Sequence, residues 1–119
     1  MQNTRQRIIK FRAWDKKENR MFKVFGLTWH FGIFLIEEGG RSQRHGSGET
    51  ELMQFTGLKD KNDKEIYEFD HLKCDGRTFE VTWNEEDACF EYILISKNWS
   101  PKMYCDPKES EIIGNKYEN

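Results

Sequence analysis

A chain of 119 residues with 36% hydrophobic and 34% charged side chains sets the scale of one domain, which buries roughly 65% of the surface its unfolded form exposes. Its 9 Phe, 4 Tyr and 4 Trp exclude a disordered chain, because burying such side chains is what offsets the entropy of ordering. The formal net charge of -2 hides an asymmetry: residues 1–23 carry eight cations against Asp15 and Glu18, so this arm is +6 and the remainder -8.

In chain order, residues 8–13 and 21–36 are rich in β-branched and aromatic side chains and are joined by the polar turn 15–20, which predicts a strand, a turn, and one long or two shorter strands. Gly26 and Gly32 mark a bulge or bend, since glycine weakens strand pairing unless the backbone needs it. Residues 37–51 contain four glycines and no apolar residue and are expected to form a flexible loop. After it, residues 52–56 alternate and 57–64 supply a charged turn. Residues 66–70 lead into Leu72, Lys73 and Cys74, and Asp75-Gly76 signals a tight hairpin, because both residues tolerate positive φ. Phe79, Val81 and Trp83 share one face of the next strand and are all expected in the core. Residues 90–96 and 112–114 complete the strands.

Helical periodicity is weak throughout, so the fold expected is mainly β, a small barrel or barrel-like sheet. Its parts are an N-terminal β extension (1–36), the flexible loop (37–51) and a β-barrel-like domain (52–119).

No apolar run approaches the ~20 residues that span a bilayer, and the polar start lacks the apolar stretch of a signal peptide, so no membrane partner is expected. The odd cysteine count of Cys74, Cys89 and Cys105 suits a reducing cytoplasm. Together with His71 they offer the atoms of a zinc site, but only His71 and Cys74 form a close pair, and small buried thiols are the better reading. Asp60, Asp63, Glu65, Glu68 and Asp70 could hold magnesium for phosphodiester cleavage. Interleaved Lys59, Lys61, Lys64 and Lys73 instead favour a solvated turn of mixed charge. His30, His45 and His71 show no catalytic context around a serine or cysteine. No catalytic residue, metal or cofactor is therefore assigned.

The candidate interaction surface is the arm itself: Arg5, Arg7, Lys10, Arg12 and Trp14. Basic residues interleaved with Phe11 and Trp14 resemble the way small barrels hold phosphates and stack bases. The competing reading packs the two aromatics in the core and docks the cations on the acidic body of the same or a neighbouring chain. That reading is preferred.

Three stretches together resemble the YopX family of phage and prophage proteins: residues 9–15 (Ile-Lys-Phe-Arg-Ala-Trp-Asp), 52–62 (Leu-Met-Gln-Phe-Thr-Gly-Leu-Lys-Asp-Lys-Asn) and 113–119 (Ile-Gly-Asn-Lys-Tyr-Glu-Asn). Members of the family typically continue the middle stretch with a glycine, where Asp63 stands here, and then with Tyr-Glu-Gly-Asp, where this chain has Tyr67-Glu68-Phe69-Asp70. Glycine before that aspartate suits a turn of unusual φ, so Phe69 implies either a strained turn or a shifted one. The resemblance implies a phage accessory protein, a β-rich fold with an SH3-like barrel, and self-assembly, and it carries no established activity. The expectation is a non-enzymatic protein of the host cytoplasm that acts by association, as a homo-oligomer or with a phage or host protein. The alternative is a nucleic-acid-binding barrel, with a metal-dependent nuclease third.

Overall fold

In a computed structural model the described residues are 7–29, 32–46, 48–100 and 104–118, and they form ten strands and one short 3-10 turn. The strands are β1 (Phe11–Asp15), β2 (Arg20–Thr28), β3 (Ile33–Glu37), β4 (Ser42–His45), β5 (Thr50–Lys59), β6 (Glu65–Tyr67), β7 (Asp70–Cys74), β8 (Arg77–Asn84), β9 (Cys89–Leu94) and β10 (Glu111–Asn115). They make two antiparallel sheets with strand orders β4-β3-β2-β1-β5-β6 and β10-β7-β8-β9. The mainly β expectation holds. No helix among the described residues is long and apolar enough to cross a membrane.

Side-chain chemistry at the turns explains much of this order. Asp15 closes the β1–β2 turn by accepting the N–H groups of Lys17 and Glu18 at 3.0 and 3.2 Å. Asp75 and Gly76 adopt φ of 53° and 74°, the positive pair that a two-residue hairpin of right-handed twist requires. The register of β2 against β3 shifts between Val24 and Gly26, which places the expected bulge there and turns Phe25 outward.

Three expectations change. First, residues 37–51 are not one flexible loop: a turn closes with Glu37 N–H donating to Arg41 O at 2.9 Å, β4 then pairs with β3, and Thr50 begins β5. A strand without apolar residues escapes a hydrophobic pattern, and polar bonds hold this one. Gln43 donates to Asp15 Oδ2 at 3.0 Å and accepts from Thr50 Oγ1 at 3.0 Å, so the sheet curls β4 towards β5. Arg20 and Arg41 both reach Glu18 and Glu37 across the same end. Second, β1 pairs with β5 from Phe11↔Gln54 to Asp15↔Thr50, so the N-terminal strands share the sheet of β5 and the boundary expected at 51/52 runs through that strand. Third, Trp83 is 43% exposed while Phe79 and Val81 are buried. The three do share a face, but the core ends before β8 does, and Trp83 instead leans edge-on against Phe90 with ring centroids 4.9 Å apart.

The core has two parts. Ile66, Leu72, Cys74, Phe79, Val81 and Cys105 form one, over the inner face of the second sheet. Ala13, Phe22 and Leu35 form the other, inside the curl of the first. Ala13, Trp14 and Asp15 are consecutive and all buried, because β1 is a central strand covered on both faces. This is why β1 shows no clean alternation of apolar and polar residues.

Candidate functional site

The arm's chemistry is decided by what its alternating side chains meet. In β1, Arg12 and Trp14 point towards the second sheet. Arg12 Nη2 lies 2.8 Å from Asp70 Oδ1 and 3.2 Å from the Glu68 carbonyl oxygen, and its guanidinium covers the Tyr67 ring at 4.8 Å. The other Asp70 oxygen accepts the Tyr67 N–H at 2.8 Å. Burial pushes the Asp70 carboxyl above its ordinary value, outweighing the Arg12 charge and the Tyr67 amide, which both pull it down.

Trp14 stacks on Tyr117, centroids 5.8 Å apart and 14° from parallel, and Phe69 meets the same Tyr117 edge-on at 6.0 Å. Asn115 Oδ1 accepts the N–H groups of Tyr117 and Glu118, both at 2.9 Å, and so orients that ring. Phe69 has φ of 70°. Its N–H donates to Val81 O at 2.7 Å and its carbonyl accepts from Lys116 N–H at 2.9 Å, so backbone bonds to two other segments hold the left-handed turn that glycine would adopt freely. The turn is strained, not shifted.

Of the expected interaction surface, Arg5 lies outside the described residues, as does His30. Arg7 is exposed, and Lys10 is half-exposed and ion-paired with Glu65, whose hydrogen bond holds the lysine above its ordinary value. Arg12 and Trp14 are withdrawn from solvent by Asp70 and Tyr117. Trp14 therefore stacks on a side chain of its own chain and is not presented to a base. Lys16 and Arg20 also pair within the chain, with Glu51 and with Glu18 and Glu37. Much of the arm's positive charge is thus answered by acids of the same molecule.

The zinc quartet is dispersed: Cys74 and Cys105 share the core, Cys89 is exposed at the start of β9, and His71 Nε2 faces Glu80 at 3.0 Å. The carboxylates likewise serve the backbone. Asp60 accepts from the N–H groups of Asn62 and Lys64 at 2.9 Å and of Ile112 at 3.0 Å, which binds the β5–β6 turn to β10. Burial alone would raise its carboxyl, but these three donors outweigh it and hold the group below its ordinary value. Among the described residues no three His, Cys, Asp or Glu side chains come together in a way that could hold a metal ion.

What does come together around the Lys10–Glu65 pair is a groove of three adjoining cavities of about 400, 450 and 440 Å³. Lys23 reaches it from β2, and Lys59 and Lys64 from the two ends of the β5–β6 turn. Tyr67 lies beneath, its hydroxyl pushed up by burial, and Phe25 stands at the rim, 63% exposed on the bulge. The sequence reading missed this grouping. Lys59 and Lys64 look like part of a solvated turn until β5 pairs with both β1 and β6 and brings them to the cavities that Lys10 and Lys23 line.

The family model described as YopX protein matches residues 10–119. A crystal structure of protein EF1440 from Enterococcus faecalis matches with a TM-score of 0.63 at 22% sequence identity, covering 96% of each chain, and so shares the fold. No curated protein matches the chain.

Proposed function

The chain belongs to the YopX family, and on that premise we propose that it is a non-enzymatic phage or prophage accessory protein that works by association, first of all with copies of itself. The observation that carries this reading is the outer edge of the second sheet. β9 ends the strand order, contains neither lysine nor proline, holds its one charge, Glu91, half-buried against Asn84, and carries exposed Ile93, with Ile95 exposed just beyond it. Edge strands that stay separate are usually blunted by such charges or by proline, because an open row of N–H and C=O groups templates another strand. Two copies joined edge to edge would extend the sheet across a two-fold axis, the commonest symmetry of soluble oligomers. Exposed Trp83, Trp99 and Tyr104 in the same part of the chain add apolar surface of the kind found at association sites. The free thiols of Cys74, Cys89 and Cys105 support action in the reducing cytoplasm of the host cell.

Sedimentation across a range of protein concentrations tests the reading. The expected result is a dimer or larger species that Ile93→Lys with Ile95→Lys converts to a folded monomer. A chain that stays monomeric at every concentration would overturn it.

A further inference from the structure

We infer that the groove around Lys10 and Glu65 is a binding surface for single-stranded nucleic acid, a property separate from self-association. Among the described residues the charges lining its three cavities are Arg7, Lys10, Arg12, Lys23, Lys59 and Lys64 against the lone carboxylate of Glu65, in a molecule whose net charge is -2. The cations arrive from three separate segments, the stretch before and within β1, the middle of β2, and the ends of the β5–β6 turn. Four of the six belong to the basic arm, and the fold adds Lys59 and Lys64 from a distant turn. Three acids outside the lining answer part of it: Asp70 pairs with Arg12, exposed Asp63 stands 3.7 Å from Lys59, and the Asp60 carboxylate feels the Lys64 charge through space. Neither Lys23 nor Lys64 has a carboxylate at ion-pair distance among the described residues.

Glu65 itself is a weak competitor. The Lys10–Glu65 pair is 45% and 31% exposed, and ion pairs so open to water add little, so a phosphate can take the place of the carboxylate. Aromatic surface lies where bases would need it. Phe25 projects from the bulge of β2 at one end of the groove. A basic track beside a stackable ring suits single strands, whose bases are available for stacking, and not a duplex, whose bases are already stacked on each other.

The test is fluorescence anisotropy of a labelled short oligothymidylate over a salt series. Binding is expected at low salt and should fall linearly on a log–log plot. Lys23→Gln with Lys64→Gln should flatten that slope by about 0.7 for each phosphate no longer neutralised. Phe25→Ala should weaken binding roughly tenfold at an unchanged slope, since stacking releases no counterions. Glu65→Gln should tighten binding. Lys23, Lys64 and Phe25 are all exposed, so these variants should melt as the parent does. The inference is overturned by absence of binding at low salt, by equal competition from duplex DNA or polyglutamate, or by an affinity indifferent to Phe25.

Discussion

Arg12 and Asp70 join the two sheets through a charge pair that water scarcely reaches, with side chains 14% and 2% exposed and 2.8 Å between Nη2 and Oδ1. Such a pair adds little over a well-packed apolar alternative, yet removing one partner strands the other in a medium that cannot solvate it. Arg12→Met is expected to lose about 3–5 kcal/mol in urea unfolding. Adding Asp70→Asn, which keeps an acceptor for the Tyr67 N–H, should recover part of that loss. The variant should also respond to pH. Arg12 is the chief influence pulling the Asp70 carboxyl down, so without it the folded value rises further above the unfolded one. A carboxyl raised in this way adds stability that is complete below its unfolded value and lost as pH climbs through the folded one. Arg12→Met should therefore regain stability relative to the parent on mild acidification.

Asp60 carries the opposite sign. Its folded value lies below the ordinary one, so its contribution is present above the unfolded value and lost as pH falls through the folded value. Asp60→Asn should destabilise the protein at neutral pH, by roughly 1–3 kcal/mol through donors left poorly satisfied, and should flatten the acid limb of a stability–pH curve. An acid limb unchanged from the parent would show that Asp60 is not the group being titrated.

At Phe69 the backbone and the side chain pull in different directions. A left-handed φ costs an L-residue roughly 1–2 kcal/mol, while the ring meets Tyr117 edge-on and lies beneath the Lys116 ammonium at 4.6 Å. Comparing two truncations separates these effects. Phe69→Ala and Phe69→Gly both remove the ring, but only glycine relieves the strain. The glycine variant should be the more stable of the two by about 1 kcal/mol in thermal or urea unfolding. Equal stabilities would mean that the turn relaxes away from positive φ in the alanine variant.

These positions show where sequence reasoning reaches and where it stops. The Asp75-Gly76 hairpin, the Gly26 bulge and the inward face of Phe79 and Val81 were legible because each depends on neighbours in the chain: a φ requirement, a break in pairing, a period of two. β4 was not, because Ser42–His45 is held by Gln43 bonds to Asp15 and Thr50, contacts that no local apolar pattern records. The fate of the arm was half legible. Its charge suggested docking on acids, but the choice of Asp70 for Arg12 and Glu65 for Lys10 depends on a sheet order that only the folded chain displays. The groove was missed for the same reason, since Lys23 and Lys64 stand far apart in sequence and line one cavity only when β5 pairs with both β1 and β6.

Trp83 and Phe79 allow a direct check on where the core ends. Phe79→Ala should cost about 3–5 kcal/mol, the range for a buried large aromatic, whereas Trp83→Ala should cost about 1 kcal/mol, chiefly through its contact with Phe90. Equal losses would place Trp83 in the core after all.

The three thiols report on how that core opens. Cys89 is exposed at the start of β9, whereas Cys74 and Cys105 are buried together among Leu72, Phe79 and Val81, and burial beside Cys74 pushes the Cys105 thiol well up. A disulfide reagent needs thiolate and access, so the folded protein should react quickly at one thiol per chain, and a Cys89→Ser variant at none. The other two should react only as the molecule opens, and denaturant below the unfolding transition then distinguishes two routes. Cys105 follows β9, and the described residues on either side of it pair with no strand, so fraying there alone would expose it with little dependence on urea. Opening of the whole cluster would expose Cys74 and Cys105 at one common rate that rises steeply with urea, since the slope reflects the surface uncovered. The common rate is expected, because the Cys74 thiol donates to the Asp106 carbonyl at 3.9 Å and ties the Cys105 segment to β7. A fast, urea-insensitive reaction at Cys105 alone would show instead that this segment opens independently of the sheet it covers.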